Sequence, residues 1–396
     1  MTKSKYELAC STWDELEIQA MQKVIQSGKF TMGEQVSEFE KQFAAHVGAK
    51  YAVMVNSGSS ANLVLVNALK YHSKLNFELE DEIIVPAVSW STTYYPVTQS
   101  GFVLKFVDID RHTLNIDVTQ IEAAITPKTK AVFAVNLLGN PVNWEALNLI
   151  AVKNNLILLE DNCESLGGSF QGKFLGTFGL GGTFSTYFSH HISTMEGGLV
   201  CTDDEELMQI IKSLRAHGWT RDLPSQNHVF NKTGAVWDDH FRFVLPGYNL
   251  RPLEIEAAIG LEQLKKLEAF VNVRRTNAKL FKDFMSAFKE IEIQSETGQS
   301  SWFGFSMLLT GNLSGKRQVL IETLAEAGIE SRPIVAGNFT RNPVISHLPH
   351  IIHGHLTGAD EIHENGLFIG NHHFDLRQEF NLLKQALNDF VDRFEQ

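Results

Sequence analysis

Five short strand-like segments, alternating with helix-like ones, set the narrowest limit on how this chain can fold. They are Tyr51–Val55, Glu82–Pro86, Val103–Val107, Ala131–Val135 and Leu156–Glu160. Asn62–Tyr71, Val118–Ile125 and Trp144–Asn154 carry helical patterns between them. Such alternation predicts an α/β fold with a large, mostly parallel central sheet covered by helices. Ligands of these sheets gather at the carboxyl ends of the strands. Four suggestive segments fall there: Asn56–Ser60, Val88–Trp90, Asn136–Gly139 and Asp161–Glu164.

The flanking regions read differently. Residues 11–48 are amphipathic and helical, opened by the capping residues Ser11, Thr12 and Asp14 and broken by the Gly28–Gly33 stretch. Glu205–Gly218 is helical again, and Thr220–Asp239 is a polar, irregular loop. A helix from Glu254 continues as a charged helix through Val273–Phe288. Beyond it a strand (Gly304–Leu309), a helix (Lys316–Ala327) and a closing helix (Leu376–Phe394) outline a smaller C-terminal α/β domain. The expected division is 1–260 and 261–396, in keeping with a chain of 396 residues.

Composition narrows the function classes. A formal net charge of −12 and no long basic run argue against a nucleic-acid partner. An anionic small substrate stays possible, because a pocket can be positive on an acidic protein. The apolar runs, such as Leu156–Leu159, are too short to cross a bilayer, so no membrane role is expected. The first residues lack the apolar core of a signal peptide, and a cytoplasmic location is expected. Cys10, Cys163 and Cys201 are scattered and make neither a zinc set nor an iron–sulfur set, so no metal is expected.

Several residues at the strand ends suggest a phosphorylated cofactor. Gly58 and Ser59 sit in a small-residue turn that opens a helix, where free N–H groups and the positive end of a dipole suit a phosphate. Asp161 follows an apolar strand and can pair with a protonated heterocyclic nitrogen. Glu164 can contact a ring hydroxyl, and Trp90 can stack on a ring face. Ser185 precedes His190 by five residues: it can bind the phosphate while the histidine faces the reactive carbon. Asn249, in a turn before a helix, is a further phosphate candidate. Each has an ordinary structural reading; their co-occurrence is what points to a cofactor.

Longer motifs carry a resemblance. Thr31-Met-Gly-Glu34, Asn56-Ser-Gly-Ser-Ser-Ala-Asn62, Val85-Pro-Ala-Val-Ser-Trp90, Phe106-Val-Asp-Ile-Asp110, Glu160-Asp161, Glu196-Gly-Gly198, Gly247-Tyr-Asn-Leu-Arg-Pro-Leu-Glu254 and Arg332-Pro333 span nearly the whole chain. They resemble the DegT/DnrJ/EryC1/StrS sugar aminotransferase family of fold-type-I pyridoxal-phosphate transferases, which are aspartate aminotransferase-like. That family bonds its cofactor to a lysine at the position of His190. Here no lysine occurs between Lys173 and Lys212. The stretch Ser189-His-His-Ile-Ser-Thr-Met-Glu-Gly-Gly198, with Arg215-Ala-His-Gly-Trp-Thr-Arg221 and Glu296–Ser306, is similar to the family's histidine-bearing 3-dehydratase branch.

The resemblance implies the rest. Pyridoxal or pyridoxamine phosphate is held noncovalently, because imidazole cannot form a comparable tethering imine. Gly58, Ser59, Ser185 and Asn249 then grip the phosphate, Asn249 from a neighbouring subunit of a homodimer with shared active sites. L-Glutamate is the amino donor. The substrate is a nucleotide-linked 4-keto-6-deoxy hexose, with the GDP-linked mannose derivative the one implied. His217, Arg221 and Arg332 contact the sugar or its phosphates, and His190 rather than His191 aligns with the lysine. An unperturbed imidazole suits general acid–base work at neutral pH. Two other readings stay open: an aminotransferase that tolerates histidine and leaves nitrogen on the sugar, and a sensing protein on an inactive fold.

Overall fold

The computed structural model describes residues 4–394. Among the described residues fourteen strands form, in chain order, β1 (Tyr51–Val55), β2 (Glu82–Pro86), β3 (Val103–Val107), β4 (Thr129–Val135), β5 (Ile157–Asp161), β6 (Ser169–Phe170), β7 (Lys173–Phe174), β8 (Gly181–Ser185), β9 (Gly198–Thr202), β10 (Ile291–Glu292), β11 (Gly304–Leu309), β12 (Ser331–Arg332), β13 (His350–Ile352) and β14 (Gly366–Gly370). Eight make one sheet in the order β1-β9-β8-β5-β4-β2-β3-β13. The run from β8 to β13 is parallel; β9 pairs antiparallel with both β1 and β8. A second, antiparallel sheet has the order β10-β11-β14-β12.

All five predicted strands form, within two residues of their expected ends. They form because β2 to β5 are mostly apolar and buried on both faces, as parallel strands under helices must be, with the charges of Lys105 and Glu82 paired to each other. The helix expected over Asn62–Tyr71 starts four residues earlier, at Gly58, capped by Ser57. β8 and β9 had no strand signature in the reading of the sequence. Each is five residues long, rich in glycine or flanked by it, and wholly buried.

One helix, Glu254–Met285, joins two cores. Its first half packs Ala257, Leu264, Leu267 and Val271 with Phe39, Phe43 and Phe184 against the large sheet. Gly260 permits this: a Cβ there would lie 2.6 Å from the Phe39 ring. Its second half packs Ala278, Phe281 and Met285 with Phe305, Leu320 and Phe380 around the small sheet. The cores do not follow chain order. Tyr6 is buried in the second core, its hydroxyl donating to Gly370 O at 2.6 Å, while β13 from the C-terminal part pairs with β3. Among the described residues no helix is long and apolar enough to cross a membrane.

Candidate active site

Three strand ends of the large sheet meet to build the site. At the end of β1 the chain turns through Asn56 and Ser57 into helix Gly58–Ala68. Ser57 Oγ caps the helix by accepting the Ser60 N–H at 3.1 Å. The N–H groups of Gly58 and Ser59 find no acceptor among the described residues, so the positive end of the helix is open to an anion. At the end of β8 stands Ser185, buried, with its Oγ accepting the Tyr187 N–H at 3.3 Å. Gly58 is what lets the two approach: a Cβ there would lie 2.5 Å from Ser185 Cβ and 2.9 Å from Cys163 Sγ. Gly58 and Ser185 therefore stand side by side at the open end of the helix, with Ser59 next in the chain.

Asp161 closes β5 and is buried. Asn62 Nδ2 and Thr93 Oγ1 each donate to its Oδ2 at 2.8 Å, and the Cys163 N–H donates to Oδ1 at 3.1 Å. A carboxylate offers roughly four acceptor positions, so one remains for a ligand. Glu164, half-buried, accepts the Leu138 N–H at 3.1 Å. Burial pushes its carboxyl up to about 7; the Leu138 N–H opposes this and the Asp161 charge adds to it.

The histidines ride on a closed loop between β8 and β9. The Thr186 N–H donates to Gly197 O at 2.9 Å and the Thr194 N–H to Thr186 O at 2.8 Å. Gln263 Oε1 accepts the Ser193 N–H at 3.1 Å, and Trp13 Nε1 donates to Ser193 O at 3.0 Å. Within this frame the two imidazoles differ. His191 is fully buried, with Nε2 3.2 Å from the Ser301 carbonyl. His190 is half-buried; its ring lies 5.3 Å from Phe303, edge-on to Tyr187 at 6.0 Å, and its Nδ1 has no partner. Burial and then the Arg274 guanidinium push His190 down to about 4, while the nearby Tyr187 backbone pulls the other way. The histidine is thus neutral at neutral pH, the state a general base needs.

Leu138 ties the parts together. Its N–H holds Glu164, and its carbonyl accepts the Phe303 N–H at 3.0 Å. Phe303 O in turn accepts from buried Arg274, Nη1 at 3.1 Å. Glu164 and the ring under His190 are thereby set in one frame. Asn62, Thr93, Leu138 and Phe303 were not singled out from the sequence. Asn62 carried a usable signal: it stands four residues after Gly58, on the same face of the helix.

The remaining candidates make no direct hydrogen bond to Gly58, Ser59, Asp161, Glu164, Ser185 or His190 among the described residues. Trp90 is 59% exposed, at the start of helix Ser91–Gln99. Asn249 is exposed, its Oδ1 accepting from Arg251 Nε at 3.0 Å, although the next carbonyl, Leu250 O, accepts the Asn56 N–H at 3.1 Å. His217 is held at φ 62°, its ring 4.9 Å from Trp219. Arg221 lies 4.1 Å over the same indole. Arg332 is exposed on β12, with no side-chain hydrogen bond or ion pair among the described residues. The structure thus gathers Gly58, Ser59, Asp161, Glu164, Ser185 and His190; Trp90 opens the helix whose Thr92 and Thr93 bond Ser59 and Asp161, and the other four make no hydrogen bond to the set among the described residues. The gathered set fits a ligand with a phosphate at one end and a protonated ring nitrogen at the other.

Comparison with known proteins agrees. A model of the DegT/DnrJ/EryC1/StrS aminotransferase family matches residues 11–379. The GDP-4-keto-6-deoxy-D-mannose 3-dehydratase of Yersinia pseudotuberculosis is 53% identical over 386 residues, covering 96% of this chain and 98% of that protein. The structure of the E. coli GDP-4-keto-6-deoxy-D-mannose-3-dehydratase with bound hydrated PLP has a TM-score of 0.95 at 52% identity, covering 97% of this chain and 100% of that one. A mutant GDP-4-keto-6-deoxymannose-3-dehydratase with bound GDP-perosamine gives the same TM-score, identity and coverage. The fold is the aminotransferase-like α/β fold expected from the sequence.

Proposed function

The chain belongs to the DegT/DnrJ/EryC1/StrS aminotransferase family, and we propose that it is a glutamate-dependent 3-dehydratase acting on GDP-4-keto-6-deoxy-D-mannose with pyridoxal phosphate. The observation that carries this reading is His190, a neutral imidazole with no partner at either nitrogen among the described residues, in the loop where the family places a lysine. When bound, the cofactor supplies an electron-accepting ring and an exchangeable amine.

The chain's own residues do the rest. Gly58, Ser59 and Ser185 hold the phosphate, and Asn249 of a second copy completes the grip. Asp161, fixed by Asn62 and Thr93, accepts a hydrogen bond from the protonated ring nitrogen. Glu164 would meet the ring hydroxyl, and Trp90 would stack on the ring. The His190 imidazole takes up one proton and delivers it to the C3 oxygen of the sugar as that oxygen departs. Imidazole anchors nothing covalently, so the noncovalent grip carries the whole affinity. The net reaction balances: glutamate is oxidised to 2-oxoglutarate, the sugar is reduced at C3, and ammonia is released. His217, Arg221 and Arg332 meet the sugar and its phosphates. The working form is a cytosolic homodimer.

The test is product analysis. With L-glutamate and GDP-4-keto-6-deoxy-D-mannose, mass spectrometry is expected to show a sugar lacking one oxygen, with ammonia and 2-oxoglutarate in equal amounts. An amino sugar as product would make the protein an aminotransferase instead. No affinity for pyridoxal phosphate would leave only a sensing role.

A further inference from the structure

The three residues after His190 are each held by a different part of the chain. His191 is anchored through Nε2 to the Ser301 carbonyl. Ile192 is fully buried in the core that contains Phe39, Phe43 and Phe184. Ser193, 1% exposed, has both of its backbone polar groups taken by side chains from outside the loop. Gln263 Oε1, in the first half of helix Glu254–Met285, accepts its N–H at 3.1 Å. Trp13 Nε1, in the N-terminal segment, donates to its carbonyl at 3.0 Å.

The orientation of the Gln263 amide is fixed by its other partners. Gln263 is fully buried, and its Oε1 also accepts from Thr12 Oγ1 at 2.6 Å. Its Nε2 donates to Thr12 O at 3.1 Å and to Glu17 Oε1 at 2.7 Å. Glu17 is buried and paired with Lys266 Nζ at 2.7 and 2.9 Å. A paired carboxylate only accepts, so the amide nitrogen must face Glu17 and the oxygen must face Ser193. The N-terminal segment is pinned at its other end too. The Tyr6 hydroxyl donates to Gly370 O at 2.6 Å, and the Leu8 N–H donates to Glu330 Oε2 at 2.9 Å. Residues 6–13 thus run as a strap from the small sheet to the histidine loop.

We propose that this strap and Gln263 form a clamp that fixes the histidine loop, with Trp13 and Gln263 as positioning residues for His190. The clamp stands on the hydrogen bonds to Ser193; its bearing on turnover rests on the reading of His190 as the proton carrier of the 3-dehydratase. A lysine bonded to the cofactor would hold its own loop through that bond. An imidazole makes no such bond, so protein contacts alone set its place. The His190 ring nitrogens have no partner among the described residues, and the contacts come from the three residues that follow. Placement matters, because proton transfer needs the imidazole within hydrogen-bond reach of the reacting atom. A misplacement of about 1 Å can cost about 100-fold in rate.

Hydrogen–deuterium exchange and turnover of the cofactor-loaded protein test this. Trp13→Phe keeps an aromatic ring and removes the donor; Gln263→Met keeps the length and removes the amide. Exchange over residues 187–195 is expected to quicken by about tenfold in each variant, with the rest of the large sheet unchanged. Turnover is expected to fall by about 10- to 100-fold, with the KM for L-glutamate within about twofold of the wild type. On a His190→Asn background, Trp13→Phe is expected to lower the residual turnover no further, because the residue it positions is gone. Trp13 is half-buried, so its variant carries the test where Gln263→Met does not fold. Unchanged loop exchange in the folded variants would overturn the proposal. A loss on the His190→Asn background equal to the loss in the wild type would overturn it as well, being the mark of a merely structural role. The dehydratase reading fails separately: if His190→Asn turns over like the wild type while Trp13→Phe still quickens loop exchange, the clamp stands and that reading falls.

Discussion

Glu160 and Asp161 are neighbours on β5, yet they serve opposite sides of the sheet. Successive side chains of a strand point to opposite faces. Glu160, fully buried, accepts the N–H groups of Gly176 at 2.7 Å, Gly179 at 2.8 Å and Phe178. It pins the turn after β7, and burial pushes its carboxyl up to about 7 against the pull of those three donors. Asp161, on the other side, is steadied by Asn62, Thr93 and Cys163 with one acceptor position left over. The histidine pair repeats the split: His191 is anchored through Nε2 to Ser301 although its Nδ1 is unmatched, and neither ring nitrogen of His190 has a partner among the described residues. In each pair one residue holds the scaffold and the other faces the ligand. Identical chemistry in adjacent positions is sorted by the direction in which the backbone points it.

Substitution of the histidines tests the sorting most severely. His190→Asn is expected to lower turnover by about 100- to 10,000-fold, the range of a lost general acid–base. His191→Asn is expected to leave turnover of the folded enzyme nearly intact and to cost about 1–3 kcal/mol of stability, measured by denaturant unfolding. Equal losses of turnover in both would erase the distinction. The carboxylates come next. Asp161→Asn is expected to reduce turnover by about 100- to 1,000-fold, as for a lost electrostatic contact in the transition state. Glu160→Gln is expected to destabilise by about 1–3 kcal/mol while the enzyme that folds stays active. A smaller effect is expected at the open helix end: Gly58→Ala, which overpacks Ser185, should cost about 1–3 kcal/mol and weaken cofactor binding.

The smallest expected effect is in pH dependence. Folded His190 sits at about 4, below the ordinary 6.5. As pH falls below 6.5 the unfolded chain takes up a proton that the folded histidine refuses. The stability present above pH 6.5 therefore drains away as pH falls toward 4. In thermal melts, the wild type is expected to lose ground to His190→Asn across that window. A constant difference between the two would mean that His190 is not held neutral by its surroundings.

Much of the site could be read before the fold was seen. Gly58, Asp161 and Ser185 stand at strand ends, and the missing lysine pointed to the His190 loop. The five predicted strands were legible because short apolar runs dominate each of them. β8 and β9 were not, because their glycines and threonines give no apolar period. Phe303 and Leu138 were not, because neither carries a polar group that chemistry would notice. Trp13 and Gln263 were read only as parts of helical stretches, and they meet at Ser193 only in three dimensions.

By itself, then, the sequence determined the alternation of strands and helices, the small residues at the strand ends, and the exchange of an amine for an imidazole. Those are properties of neighbouring positions, and local spacing encodes them. The tertiary structure alone decided which histidine is free, what steadies Asp161, and what grips the histidine loop. Those depend on pairs such as Asn62 with Asp161, 99 positions apart, and His191 with Ser301, 110 apart. No local pattern records such a pairing; packing the two cores against one helix creates it.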